Sequence, residues 1–322
     1  MHAVEVDGDA LVWREIDEQA VGPGEVRIAI RATAINRADL IQRTGGYPPP
    51  PGASHVMGLE CAGVVAEIGE GVKRVAVGDE VCALLAGGGY ASETVVPAGQ
   101  VLKIPAGLSL IEAAALPEVF ATAYLNLYME AGLAKGEKVI VHAGASGVGT
   151  AAIQMLQASN NPCFVTASTE NKIQRCIDLG AQAGHDRQTG GFLNAAQEWA
   201  QEGVDVILDP VGGKYLADNL AALRLNGRLV LIGLMGGAQT EINLGLLMMK
   251  RLRIVGSTLR ARPIPEKAAV MDALARDVWP NIESGSIRPI IEAVFPITDV
   301  QAAHDLVAGN QTIGKVVMEI PA

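Results

Sequence analysis

The sequence predicts an α/β fold in which a doubly wound parallel sheet of the Rossmann type is joined to a smaller β-rich domain. Three observations support this: a strand–glycine turn–helix–strand unit at residues 137–172, alternating strand-like and helix-like segments after Pro117, and a β-rich first hundred residues. A length of 322 residues fits two domains. We expect residues 1–118 and 290–322 to form the β-rich domain and residues 119–289 to form the dinucleotide-binding one.

The β-rich part shows the period of half-buried strands. Val26, Ile28 and Ile30 alternate with arginines, and glycines interrupt the strand-like segment Gly58–Leu85, a pattern typical of a small barrel. Four prolines at 48–51 predict a stiff loop. Because the C-terminal tail is strand-like again, we expect the chain to return to its first domain.

The central part alternates in the order of a parallel sheet covered by helices. A long helix is expected over Glu266–Ile282, and Leu252–Gly256 is a candidate edge strand that could pair across a dimer. The predicted strands of the sheet are Val139–His142, Cys163–Thr166, Val204–Asp209 and Arg228–Gly233.

A glycine-rich turn joins the first of these strands to an apolar helix. Such a turn lets the backbone approach a pyrophosphate, and the helix N-terminus offers free N–H groups to it. A P-loop is excluded because Thr150 stands where lysine should follow the last glycine. A membrane span is disfavoured because glycines and Pro162 break the uncharged run. The predicted phosphate-binding residues are Gly144, Ala145, Ser146, Gly147, Val148 and Gly149.

The end of the second strand predicts the cofactor. An enzyme that binds NAD usually carries an acid there for the ribose 2′-hydroxyl, but Ala167 and Ser168 stand at this point. Lys172 could pair with a 2′-phosphate, with the hydroxyls of Ser168 and Thr169 assisting, while Glu170 would face solvent. The sequence therefore favours NADPH, the alternative being that Lys172 is a solvated helix lysine.

Composition and charge exclude several other classes. The net charge of −10 argues against nucleic acid and anionic membrane as partners. The four cysteines form no C-x-x-C pair, and the first residues lack the pattern of a signal peptide. We expect a cytoplasmic protein without a zinc ribbon or a disulfide framework.

Several motifs in order resemble the medium-chain dehydrogenase/reductase superfamily, over essentially the whole chain. The closest likeness is to its zinc-independent quinone oxidoreductases, in particular the p53-inducible branch. The motifs that carry the resemblance are A-I-N-R-A-D at Ala34–Asp39, Q-R-T-G-G-Y-P-P-P-P-G-A at Gln42–Ala53, G-L-E-C-A-G-V-V at Gly58–Val65, G-D-E-V at Gly78–Val81, H-A-G-A-S-G-V-G-T-A-A-I-Q at His142–Gln154, L-I-G-L-M-G-G at Leu231–Gly237 and I-G-K-V-V at Ile313–Val317.

The resemblance implies a GroES-like catalytic domain split around a Rossmann domain, a homodimer, and NADPH-dependent reduction of quinones or other activated carbonyl compounds. It also implies that zinc is absent. The zinc-dependent relatives carry ligands at the positions of Asn36 and Leu59, and the four-cysteine lobe that binds their structural zinc has no counterpart here. Zinc needs about three protein ligands, which this chain does not supply.

Asn36 and Tyr47 are the candidate catalytic residues. Asn36 would hydrogen-bond the quinone oxygen, the nicotinamide ribose or both, although a turn-capping role is the plain alternative. Tyr47 would donate to a substrate oxygen, or merely pack its ring on the proline loop. Asp39 and Arg37 are expected to form a structural ion pair. Further cofactor contacts, which follow from the resemblance and from strand ends, are predicted at Thr122, Gly233, Leu234, Met235, Ser257, Leu259 and Lys315.

The predicted function is hydride transfer from NADPH to a small quinone or other electrophilic carbonyl compound. Two alternatives remain: an enone or alkenal double-bond reductase on the same scaffold, and a non-catalytic protein that keeps NADPH as a structural ligand.

Overall fold

The computed structural model describes residues 1–8 and 10–321, so Asp9 and the final residue of the predicted segment 290–322 lie outside it. The described chain forms two compact units, one of residues 1–121 and 259–322 and the other of residues 122–258. Residues 259–289 therefore group with the first unit, whereas the sequence assigns them to the dinucleotide-binding domain. The predicted domain boundaries otherwise stay a prediction.

The first unit contains a seven-stranded mixed sheet and a separate hairpin. The sheet order is β14-β15-β3-β4-β5-β7, with β6 also paired to β3, and the hairpin is β1-β2. The strands are β1 His2–Asp7, β2 Ala10–Glu15, β3 Glu25–Ala34, β4 Glu60–Ile68, β5 Glu80–Leu84, β6 Glu93–Pro97, β7 Val101–Lys103, β14 Ile291–Pro296 and β15 Lys315–Glu319. The helices are α1 Arg37–Arg43, α2 Leu110–Ala113, the start of α3 Pro117–Tyr124, α9 Ile264–Asp277, α10 Trp279–Glu283 and α11 Val300–Ala308, with 3₁₀ turns at Ala98–Gln100 and Ile297–Asp299.

The core of this unit follows from the two-residue period of its strands. On β3, Val26, Ile28 and Ile30 are all fully buried, while the residues between them are partly exposed. The C-terminal strand β15 pairs antiparallel with β3, which confirms that the tail returns to the first sheet. The single helix predicted over Glu266–Ile282 is wrong, because α9 ends at Asp277 and Pro280, which has no N–H to donate, lies in the first turn of α10.

The second unit is a six-stranded, all-parallel sheet in the order β10-β9-β8-β11-β12-β13. Numbered within the unit this is the order 3-2-1-4-5-6 of the Rossmann fold, which confirms the predicted fold class. The strands are β8 Val139–Val141, β9 Cys163–Ala167, β10 Ala183–Asp186, β11 Val204–Asp209, β12 Leu223–Leu231 and β13 Arg253–Gly256. The helices are α4 Gly147–Ala158, α5 Glu170–Asp178, α6 Leu193–Trp199, α7 Leu216–Ala222 and α8 Leu244–Met249, with a π-helical segment Leu125–Glu130 and a 3₁₀ turn Gly213–Tyr215.

The central strands of this sheet are apolar along their whole length, as strands covered on both faces must be. Every residue of β8, β9 and β11 is buried. One helical stretch in the described residues, Leu110–Glu130, is long and apolar enough to span a membrane, but 67% of an apolar 18-residue window within it is buried in the structure. Buried core helices meet the same criteria, so this stretch is weak evidence for a membrane.

Candidate functional site

The glycine turn after β8 is built for close backbone approach. A Cβ added at Gly144 would lie 2.8 Å from the Val165 Cβ on β9, and one added at Gly149 would meet the carbonyl oxygens of Ala143 and Gly144. Ala143 itself adopts φ 53°, a left-handed conformation that is strained for a residue with a side chain. Strain of this kind is concentrated at turns that serve a ligand.

Helix α4 begins directly at this turn. Ser146 is its N-cap, and the Ser146 hydroxyl accepts a hydrogen bond from the Gly149 N–H at 3.1 Å. The other N–H groups of the first turn have no carbonyl within the helix, and the helix dipole adds a partial positive charge. The predicted residues 144–149 therefore lie together in an arrangement that suits a phosphate group.

The end of β9 carries hydroxyls and a lysine. Ala167 is the last strand residue, Ser168 follows, and Thr169 caps α5 by accepting from the Lys172 N–H at 3.3 Å. Lys172 lies in the first turn of α5, where its charge opposes the helix dipole unless an anion is bound nearby. Glu170 is exposed, as expected.

The other predicted cofactor residues of this unit follow the ends of β12 and β13. Because all strands are parallel, these ends share one edge of the sheet with the glycine turn. Leu234 and Met235 are 55% and 56% exposed, and the Met235 N–H donates to Pro210 at 3.2 Å, which joins the turns after β11 and β12. Gly233 precedes them, Ser257 follows β13, and Thr122 lies on α3, where its carbonyl accepts from Asn126 at 2.7 Å.

Sequence reasoning missed a buried polar network at the same edge. The His142 Nε2 lies 2.7 Å from the Asn219 Oδ1, and the Asn219 amide donates to Asp209 at 2.9 Å. Since a carbonyl oxygen only accepts, the Nε2 carries the proton and the Nδ1 accepts from the Thr166 hydroxyl at 3.0 Å. Burial lowers the pKa of His142 to about 4, so the ring is neutral. The network fixes the turn after β11, because Asp209 also accepts from the Val211 and Gly212 N–H groups.

In the first unit, Asn36 belongs to a buried charged cluster. The Lys315 ammonium lies 2.7 Å from the Glu60 carboxylate and donates to the Asn36 Oδ1 and the Ile35 carbonyl, both at 2.7 Å. The Asn36 amide nitrogen donates to Glu60 at 2.9 Å and to the Ala34 carbonyl at 3.3 Å. Glu60 and Lys315 are 0% and 4% exposed. Asn36 is the N-cap residue of α1, but its side chain serves this cluster, and Lys315 lies beside it.

A second buried group lies one turn along α1. Asp39 accepts from the Asn36 N–H at 2.7 Å, the Gly58 N–H at 3.2 Å and the Tyr90 hydroxyl at 3.1 Å. Burial raises the pKa of Asp39 to about 6 against these hydrogen bonds. The ion pair expected between Arg37 and Asp39 is wrong, since Arg37 instead donates to the Val307 carbonyl and to Asn310.

Tyr47 lies in the proline loop, as predicted, and is held by Arg260. The Tyr47 carbonyl accepts from the Arg260 Nη1 at 3.1 Å, and the guanidinium carbon lies 5.1 Å from the ring centroid. The Tyr47 pKa is raised, chiefly by burial and further by Glu118, while Arg260 acts in the opposite direction. Leu259, also predicted to contact the cofactor, is 6% exposed in this unit.

Glu118 is an acid that sequence reasoning did not select. Its N–H donates to the Glu60 Oε2 at 2.9 Å, and its own buried Oε2 has no partner among the described residues. Burial, and then the neighbouring Glu60 carboxylate, raise the pKa of Glu118 to about 8. A neutral carboxyl group is a hydrogen-bond donor, unlike a carboxylate. The signal in the sequence is faint: Glu118 is the sole charged residue between Glu112 and Glu130.

In the described ranges 1–8 and 10–321, no group of three or more His, Cys, Asp or Glu side chains is placed to hold a metal ion. Leu59 is 1% exposed and packs in the core, and the four cysteines are free and buried.

Comparison with known families agrees with this architecture. Residues 22–106 match the alcohol dehydrogenase GroES-like domain, and residues 147–276 match the family described as zinc-binding dehydrogenase. The human synaptic vesicle membrane protein VAT-1 homolog is 31% identical over 314 residues, covering 93% of this chain and 80% of that protein. The chain therefore belongs to the medium-chain dehydrogenase/reductase superfamily.

Other relatives are reductases by name. The 2-haloacrylate reductase of a Burkholderia species is 29% identical to this chain, and the alignment covers 96% of this chain and 95% of the reductase. The crystal structure of Escherichia coli quinone oxidoreductase complexed with NADPH superposes with a TM-score of 0.86 at 28% identity, covering 99% and 98% of the two chains. The chain spans 14% and 15% of the length of two mycobacterial mycocerosic acid synthase-like polyketide synthases that it also matches.

Proposed function

We propose that the chain is an NADPH-dependent quinone oxidoreductase of this superfamily that transfers hydride without zinc, in the p53-inducible branch. The observation that carries the zinc-free chemistry is the Lys315–Glu60–Asn36 cluster. The Lys315 ammonium, 2.7 Å from Glu60, neutralises that carboxylate and would repel a divalent cation. Asn36 and Leu59 stand at the positions where zinc-dependent relatives carry ligands, and neither is a ligand that zinc prefers.

The residues of the second unit fit a nicotinamide dinucleotide with a 2′-phosphate. The turn 144–149 and the start of α4 suit its pyrophosphate, because a Cβ at Gly144 or Gly149 would fill the space that the backbone needs. The absence of an acid at Ala167 and Ser168, together with Lys172 in the first turn of α5, favours the phosphate over a free ribose hydroxyl. The same features support NADPH over NADH.

When bound, the cofactor supplies a hydride to the electron-poor substrate. Asn36 has both amide hydrogens engaged by Glu60 and Ala34, while its Oδ1, a carbonyl oxygen with two lone pairs, accepts from Lys315. It is therefore suited to accept from a ribose hydroxyl and unsuited to donate to a quinone oxygen. Tyr47 is the proposed donor: its phenol gives a proton to the anionic product and regains one from water.

The relatives support a second candidate function, reduction of an activated carbon–carbon double bond. The Burkholderia relative is named as a 2-haloacrylate reductase, and hydride addition to an enone also leaves an oxygen anion that Tyr47 could protonate. A protein that binds NADPH without catalysis is the remaining alternative.

The homodimer and the cytoplasmic location are proposals as well. β13 lies at the end of the sheet order, with β12 as its neighbour, and the adjacent helix α8 exposes Leu244, Met248 and Met249 by 65%, 73% and 77%. An open strand edge beside exposed apolar side chains suits a second copy of this chain.

The test is NADPH oxidation by the purified chain with a 1,4-benzoquinone and with an α,β-unsaturated ketone, with NADH in parallel. We expect turnover of the quinone with NADPH and much less with NADH. Faster turnover of the ketone would select the double-bond reductase, and binding of NADPH without oxidation by either would select the binding protein. Elemental analysis should find far less than one zinc per chain; about one zinc, with activity lost to a chelator, would refute the zinc-free mechanism.

A further inference from the structure

The Arg260 side chain joins three segments of the first unit. Its Nε donates to the Ala86 carbonyl at 2.8 Å, its Nη1 to the Tyr47 carbonyl at 3.1 Å, and its Nη2 to the Gln42 Oε1 at 2.8 Å. Arg260 is 3% exposed, so these bonds form largely out of contact with water. Arginine suits this arrangement because its donors form a rigid planar fork, whereas a lysine ammonium is a single point.

The loop that carries Tyr47 has few other means of attachment. Pro48, Pro49, Pro50 and Pro51 have no N–H to donate. Backbone bonds at its two ends are local: Gly46 donates to Ile41, and Ala53 donates to Pro50. Stiffness of the proline run alone therefore does not fix where the loop lies relative to the seven-stranded sheet.

Arg260 contacts Tyr47 at two places, and neither of them is the hydroxyl. One contact is the backbone carbonyl, and the other is the ring face, 5.1 Å from the guanidinium carbon. A cation over the ring face is attractive and limits rotation of the ring. Together the two contacts set the position of the residue and the direction in which its phenol points.

We propose that Arg260 is a positioning residue of the reductase, holding the Tyr47 phenol in the direction needed to donate to an oxygen of a quinone or enone substrate. This inference rests on the proposed function, since it assigns Arg260 a part in that same reaction. It differs from a purely structural role because the loss on removing Arg260 should pass through the Tyr47 hydroxyl.

The first measurement is steady-state kinetics of Arg260→Met and Arg260→Lys. Because small misplacements of a reacting group cost up to about 100-fold in rate, we expect kcat to fall about 10- to 100-fold, with the Kd for NADPH changed less than about two-fold. Arg260→Lys should recover little, since it keeps the charge and loses the fork. The matched control is Arg276→Met, whose side chain is 68% exposed and pairs with the adjacent Asp277, and it should keep wild-type rates. Wild-type kcat in Arg260→Met would overturn the inference.

The second measurement is a double-mutant cycle with Tyr47→Phe. If Arg260 acts through the phenol, the double variant should be no more than about two-fold slower than Tyr47→Phe alone. Multiplying losses would show that Arg260 acts by another route, and would also overturn the inference.

A third measurement separates failure of this inference from failure of the proposed function. Hydrogen exchange of the amides at 42–47 and 52–54 should speed up about ten-fold or more in Arg260→Met, while those of β4 stay unchanged. If the wild-type chain fails to oxidise NADPH with every electrophile tested, the proposed function fails. Hydrogen exchange alone then decides whether Arg260 holds the loop in place. Unchanged amide exchange in the loop, or faster exchange throughout the first unit, would contradict the inference that Arg260 holds the loop. If Arg260→Met does not fold, Arg260→Lys is measured instead.

Discussion

Replacing Glu118 by glutamine should stabilise the protein at high pH and change little at low pH. The Glu118 carboxyl is buried beside Glu60, and its pKa is raised from 4.5 to about 8. Because the pKa of Glu118 is higher in the folded than in the unfolded state, its contribution to stability is complete below about pH 4.5. That contribution is lost as the pH rises through 8. Glutamine mimics the neutral acid at every pH and so escapes the loss.

The magnitude follows from the shift. Between pH 5 and pH 9 a shift of this size corresponds to about 4 kcal/mol at 1.36 kcal/mol per pKa unit. The Glu118 carboxyl is buried, but the residue as a whole is only half-buried. We therefore expect solvent screening to reduce the effect on the unfolding free energy to about 2–4 kcal/mol. The measured quantity is the difference in unfolding free energy between variant and wild type, followed as a function of pH. Titrating groups that do not interact with Glu118, such as Asp209, cancel in this difference.

The assay is equilibrium urea unfolding at several values from pH 5 to pH 9, with refolding from urea checked against the unfolding curve. The control is Glu241→Gln at an exposed position, for which the difference should stay flat. A flat difference for Glu118→Gln as well, or a variant that loses stability as the pH rises, would refute the account of Glu118 as a neutral buried acid.

Three further variants test the candidate site. Lys172→Ala should weaken NADPH binding by about 1–3 kcal/mol and leave NADH nearly unchanged, by calorimetric titration of both; equal losses would show that Lys172 acts through the fold. Tyr47→Phe should lower kcat by about 100-fold or less with unchanged cofactor affinity, because it removes the donor alone; wild-type rates would reduce Tyr47 to a wall of the site. Lys315→Met should cost about 3–5 kcal/mol in urea unfolding by leaving Glu60 buried and unpaired, and Glu60→Gln should restore part of it; a cost below about 1 kcal/mol would mean that Glu60 has other compensation.

The sheet of the second unit could be predicted because its signals are local. Buried strands such as β11 are continuous apolar runs, and the glycine turn before α4 must have residues without side chains at fixed places. The predicted strand Val204–Asp209 has the bounds that the structure gives. The helix predicted over Glu266–Ile282 extends beyond the observed end of α9 at Asp277, because the apolar period continues past that residue and only Pro280 marks the break.

The charged cluster of the first unit could not be predicted, because it depends on strand register. Asn36 and Lys315 are separated by 279 positions. They meet because β15 pairs antiparallel with β3 in the register that sets Val317 against Ala34, and two more residues of this register place Lys315 opposite Asn36, just beyond the end of β3. No local pattern specifies that register, and a shift of one residue would turn Lys315 to the other face of the sheet. The sequence motifs therefore indicate Asn36 and Lys315 separately, without their common partner Glu60.

The same register explains why two acids can share one buried region. Lys315 lies 2.7 Å from one Glu60 oxygen, and the Glu118 N–H donates to the other. Burial, together with the nearby Glu60 carboxylate, raises the pKa of Glu118 and favours its neutral form. Below about pH 8 Glu118 is neutral and does not counteract Arg260, whose positive charge lowers the pKa of Tyr47. The Arg260 charge then favours loss of the phenolic proton. Once Glu118 ionises, its charge raises the pKa of Tyr47 and makes the phenol a weaker acid. Burial is the main cause of the raised Tyr47 pKa, and the charge state of Glu118, a carboxyl group that need not touch the substrate, changes that pKa further. For this reason Glu118→Gln and Tyr47→Phe are informative as a pair.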